Sequence, residues 1–95
     1  MERYRMLALS TGHVSQETAQ LMGQGAISKV IIYNKGDFGW FVHIPDKERD
    51  FKELEDSECP ADLYRCMKYA RDNNCDWLMF DRDVEVNEDL PVYNW

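Results

Sequence analysis

Ninety-five residues hold one hydrophobic core and not two, so residues 1–95 read as a single domain. A hydrophobic fraction of 44%, with 13% aromatic residues, excludes a disordered chain, which would lack the apolar groups to offset the entropy of folding. Eighteen acids against eleven bases give a net charge of −7, a field that disfavours direct nucleic-acid binding and favours a basic protein or nucleoprotein surface as partner.

In chain order, residues 4–10 read as a first strand in the middle of the sheet, closed by the polar run Ser10-Thr11-Gly12-His13. Ser15 is then a natural N-cap and Glu17 lies where the helix dipole favours an acid. Val14, Thr18, Leu21 and Met22 give this short helix its apolar face, and Gly23 and Gly25 stop it. Residues 29–33 and 40–44 are β-branched and aromatic on either side of a turn-rich stretch, which predicts a hairpin ended by Pro45.

Residues 46–58 carry ten charged side chains and only Phe51 and Leu54 as anchors, so they read as a surface loop or one marginal helical turn. Pro60 suits the first position of a second helix, in which Leu63, Cys66, Met67 and Ala70 follow the i, i+3, i+4, i+7 spacing of a buried stripe. Asn73-Asn74 is a stop signal, and residues 76–80 read as a strand buried on both faces. The order β-α-β-β-α-β predicts an α+β fold: an antiparallel four-stranded sheet with two helices on one face, ferredoxin-like or with a permuted strand order.

Three segments, residues 9–14 (LSTGHV), 69–77 (YARDNNCDW) and 90–95 (LPVYNW), resemble an uncharacterised bacterial family of small domains carried by plasmids and prophages near anti-restriction and toxin–antitoxin genes. The resemblance spans almost the whole chain and supplies no catalytic residues. What it implies is a habitat, and with it an anti-defence role, anti-CRISPR or anti-restriction.

The negative charge is concentrated. Residues 46–58 carry −4 and the last twenty carry −5, while the rest of the chain is slightly positive. Asp81, Asp83 and Glu85 alternate with Arg82, Val84 and Val86. In an extended chain these carboxylates would share one side at about 6.6 Å spacing, twice the strand rise. With Glu88 and Asp89 they would imitate a row of phosphates to Lys and Arg; the plainer reading is a solvated edge whose charges discourage strand pairing. The segment also opens like a calcium loop, but Val86 stands where that loop needs glycine and no Glu holds its last position, so no metal is assigned. Glu53, Glu55, Asp56 and Glu58 form a second contact set, or are simply hydrated.

Ser10, Thr11 and His13, in a strand-to-helix loop, form the best ligand-site candidate, with His13 either a working group or an organiser of the turn. His43 lies in a strand beside aromatic residues and reads as structural. No phosphate loop, dinucleotide fingerprint, nucleophile elbow or zinc-protease motif is present, so neither catalytic residues nor a cofactor is assigned.

Cys59, Cys66 and Cys75 lack metal-site spacing. Cys66 belongs to the buried stripe, and Cys59, before a helix start, is either an activated thiol or an ordinary loop cysteine. Their odd number, and an apolar stretch after Glu2, Arg3 and Arg5 too short for a signal peptide or a membrane span, predict a cytoplasmic protein. Tyr93 and Trp95 read as a docked plug or an aromatic contact for a partner.

The sequence thus predicts a small acidic protein-binding module, acting by nucleic-acid mimicry if the habitat holds. The alternative is a small enzyme or ligand-binding domain that uses His13 with Ser10 and Thr11. The oligomeric state stays open.

Overall fold

The computed structural model describes residues 2–36 and 39–95. Its strands are β1 (Met6–Ser10), β2 (Ile32–Asn34), β3 (Gly39–His43) and β4 (Trp77–Asp81), and its helices α1 (Gln16–Gly23), α2 (Glu48–Glu55) and α3 (Ala61–Asp72). A single 3-10 turn, Thr11–His13, joins β1 to α1. The sheet order is β1-β4-β3-β2, with β1 parallel to β4 and the other two pairings antiparallel.

The α+β class agrees with the sequence, but the sheet is mixed and not antiparallel, and β1 lies at an edge and not in the middle. β4, Trp-Leu-Met-Phe-Asp, pairs on both sides, whereas β1, Met-Leu-Ala-Leu-Ser, pairs on one, although the two strands are alike in apolar content. β4 lies between β1 and β3, so the order is not the ferredoxin-like one, and the described residues form three helices where two were expected.

Helix ends follow the local chemistry. The Ser15 side chain caps α1 by accepting the Thr18 N–H. At its other end Gly25, at φ 64°, donates to Met22 O while Ala26 N–H reaches back to Leu21 O, the paired bonds of a left-handed helix stop. Asn74 does the same after α3 at φ 60°, with Asn74 N–H on Arg71 O and Cys75 N–H on Ala70 O. Pro60 sits one residue before α3, and the stripe Leu63, Cys66, Met67 and Ala70 is buried as expected.

Residues 48–55 form a two-turn helix and not a loop or a single turn. Eight residues are too few to hold a helix alone. What holds α2 is Phe51 and Leu54, both buried, with the Phe51 ring 5.3 Å from that of Tyr64 and the Arg71 guanidinium 4.9 Å above it. Burial of two such side chains contributes roughly 3–6 kcal/mol. Glu48 and Asp50 in its first turn add a favourable dipole contact.

A buried carboxylate ties the helices together. Asp62, in the first turn of α3, accepts the Ser15 N–H at 2.7 Å, the Thr18 hydroxyl at 2.7 Å and the Leu63 N–H at 3.0 Å. One side chain thus anchors the start of α1 to the start of α3.

The sheet has one covered and one bare face. Leu9, Val42, Leu78 and Phe80 point to the helices and are buried. Register places the alternate residues opposite one another in three rows across the other face: His43, Trp77 and Met6, then Tyr33, Phe41, Met79 and Ala8, then Gly39, Asp81 and Ser10. Trp77 and Met79 are therefore half-buried, which corrects the expectation of a strand buried on both sides. The hairpin is shorter than predicted on its first arm; Asp37 and Phe38, in its turn, lie outside the described residues. Gly39 has no room for a side chain, since a Cβ there would overlap the Phe80 carbonyl oxygen.

Candidate functional site

The ladder that an extended chain would make of Asp81, Asp83 and Glu85 does not form. Asp81 closes β4, its Oδ1 accepts the Asp83 N–H at 2.8 Å and its carbonyl accepts the Val84 N–H at 3.3 Å, so the chain turns here and does not extend. An Asp at the head of a turn favours this local bond over a strand. Asp81 Oδ2 also meets Lys35 Nζ at 2.7 Å. That ion pair and the Asp83 N–H hold the Asp81 carboxyl below the usual carboxylate range.

A second turn follows, with Asp89 N–H on Asn87 Oδ1, and the Tyr69 hydroxyl donates to Asp89 at 2.8 Å. Asp83, Glu85, Glu88 and Asp89 remain at the surface.

The acids around α2 are differently placed. The helix turns Phe51 and Leu54 inward, which leaves Glu48, Asp50, Glu53 and Glu55 outward, with Asp56 and Glu58 exposed after it. Among the described residues none of these carboxylates takes part in an ion pair. Asp46, Asp50 and Glu53 gather round a cleft of about 350 Å³ whose other walls are Lys29, Ile31, His43, Pro45 and Leu54. Asp46, Asp50 and Ile31 were not among the site residues that the sequence singled out, and His43 had read as structural. The signal was present in the helical spacing of Phe51 and Leu54, which decides which acids face out.

The trio Ser10, Thr11 and His13 does not converge. The Ser10 hydroxyl accepts the Gly12 N–H at 3.0 Å and caps the 3-10 turn. His13 is buried and both ring nitrogens are engaged: Nδ1–H donates to Pro91 O at 2.8 Å and Nε2 accepts the Asn87 N–H at 2.8 Å. Thr11 alone borders a cleft, of about 380 Å³, with Asn34, Trp40, Arg82 and Trp95 among its walls.

The C-terminal segment is held by hydrogen bonds more than by burial. Tyr93 N–H donates to Gly12 O and Trp95 Nε1 to Val14 O, each at 2.8 Å, while the Trp95 ring stays 55% exposed. Leu90 is the apolar side chain that enters the core there.

All three cysteines are free thiols. Burial, reinforced by Asp62, pushes Cys59 up to about 11 and Cys66 up to about 12, so neither is an activated nucleophile. Among the described residues no group of three or more His, Cys, Asp or Glu could hold a metal ion, and no helix is long and apolar enough to cross a membrane.

No curated protein and no solved structure matches the chain. Residues 6–95 match a family described as "Family of unknown function (DUF5983) C-terminal domain", and the chain belongs to that family.

Proposed function

We propose that this domain is a protein-binding module whose acidic surface, centred on α2, receives a basic partner. The observation that carries the reading is the gathering of Asp46, Asp50 and Glu53 round one cleft, with no cation paired to them among the described residues. Glu55, Asp56 and Glu58 extend the same negative field. A Lys or Arg side chain entering such a cleft gains charge-assisted hydrogen bonds and gives up little that carboxylates do not replace.

A site that normally holds nucleic acid is one basic partner of this kind. The narrower reading, an anti-defence protein that competes with nucleic acid, rests on these α2 carboxylates and not on a ladder at residues 81–85. The test is the affinity of the domain for an arginine-rich peptide at rising salt. We expect weakening with salt and a loss of about tenfold in Asp50→Lys/Glu53→Lys, a change of about 1.4 kcal/mol. An affinity indifferent to both would reject the acidic surface as the site. Equal loss in Asp83→Lys/Glu85→Lys would reject α2 as its centre.

A second reading places a small ligand in the cleft beside Thr11, supported by the concavity that such a reading requires at the end of β1. His13 brings it no open ring nitrogen. Saturable quenching of tryptophan emission by a small anion, lost in Thr11→Val, is the measurement that would support it.

A further inference from the structure

Two of the rows on the bare face of the sheet run without a charged side chain from edge to edge, and the next row along holds Asp81, paired with Lys35. The first row, Met6, Trp77 and His43, continues to Ile31, whose carbonyl accepts the His43 N–H. The second holds Ala8, Met79, Phe41 and Tyr33. Met6, Ile31 and Tyr33 are 49%, 52% and 57% exposed, and Trp77 is fixed between the rings of Tyr33 at 6.0 Å and His43 at 5.1 Å. Soluble domains seldom leave a contiguous apolar face of this kind bare without using it. Ile31 and His43 also line the Asp46, Asp50 and Glu53 cleft, so the apolar face and the acidic cleft are continuous.

We infer that this continuous surface docks an amphipathic helix of a partner protein. The helix lays its apolar stripe across the two rows and places Lys or Arg at its flank into the cleft. The charged half of this inference rests on the function proposed above; the apolar half does not.

Size and charge select that occupant. Four strands at about 4.8 Å and a five-residue strand of about 16 Å make a platform wide enough for one helix about 10 Å across. A flat face of roughly 300 Å² is well short of the about 800 Å² per partner that a stable complex buries, so the occupant must also reach the cleft. A second copy is disfavoured because two chains of charge −7 would be brought together across a face too small to offset their repulsion. Single-stranded nucleic acid would find rings to stack on, but the carboxylates beside Ile31 and His43 repel its backbone.

The experiment uses the full chain and a labelled Leu/Lys peptide of about 18 residues with one apolar helical stripe. Its controls are a scrambled peptide of the same composition and an oligouridylate. Two double variants are compared: Ile31→Thr/Tyr33→Thr, at exposed positions where Thr suits a strand, and Asp50→Lys/Glu53→Lys. We expect the striped peptide to bind about tenfold more tightly than the scrambled one and to lose about tenfold in each variant, with melting temperatures unchanged. Backbone-amide shifts should change along both rows.

Loss in the lysine variant alone, or equal binding of the scrambled peptide, overturns the sheet face as the dock and leaves the acidic surface standing. Loss in the threonine variant alone overturns the acidic surface and leaves the face. Tighter binding of oligouridylate, or a dimer in light scattering abolished by the threonine variant, overturns the inference in favour of nucleic acid or of a second copy. Absence of binding by every probe overturns it outright.

Discussion

His13 holds Asn87: the imidazole Nε2 accepts the Asn87 backbone N–H at 2.8 Å, seventy-four residues along the chain. The opposite nitrogen carries the proton and donates it to Pro91 O. The ring is a buried pin between the 3-10 turn and the C-terminal segment, which is why it is not available to a ligand. His13→Ala should destabilise the fold by about 2–4 kcal/mol, from a cavity and two polar groups left without partners. Urea titration gives the loss, and earlier protease cleavage within residues 87–95 would locate it.

Asp62 predicts a different signature, because its partners are one backbone N–H and one hydroxyl at the start of α1. Asp62→Ala should cost about 2–3 kcal/mol, and Asp62→Asn less, since the amide keeps one acceptor oxygen. Hydrogen exchange should show the first turn of α1 loosening first in the Ala variant.

Gly39→Ala should be among the most damaging single-methyl changes in the chain. The added carbon meets backbone of β4, which has no side-chain freedom with which to yield. We expect a loss above about 3 kcal/mol by thermal or chemical denaturation.

Acid stability should depend on Lys35. The folded Asp81 carboxyl lies below its ordinary value, chiefly through the Lys35 ion pair. Its contribution is complete above the unfolded carboxyl value of about 4 and fades as pH falls through the lower folded value. Lys35→Met should flatten that part of the stability–pH curve, measured between pH 2 and about 6. A curve unchanged by the substitution would mean that the pair contributes nothing in solution.

Thiol labelling offers a check on the core. With Cys59 near 11 and Cys66 near 12, both stay protonated at neutral pH. Alkylation of Cys59 should quicken about tenfold per pH unit up to that range. Cys66, buried in α3, should label only at the rate of unfolding.

Much of the molecule was legible because its signals are local. Ser15, Gly25 and Asn74 mark helix ends through their own backbone and side-chain chemistry, and the α3 stripe needs only helical spacing. Strand order is different: nothing near β4 states that it pairs with β1 and β3 at once. Helix α2 was missed because Phe51 holds it through Tyr64 and Arg71 of α3, thirteen and twenty residues further along the chain. The site divides in the same way. Glu53, Glu55, Asp56 and Glu58 stood out as an acidic run, but Asp46 and Asp50 joined Glu53 only once α2 had a direction. The ladder failed on a local rule, the preference of Asp81 to head a turn, that the alternation of charges concealed.

The place of β4 governs how the chain can mature. Among the described residues its neighbour β1 pairs with no other strand, so β1 stays unpaired until residue 81 has been made. Until then the hairpin and β1 carry unsatisfied edges, an interval in which a chaperone, or a waiting partner, has the most to gain.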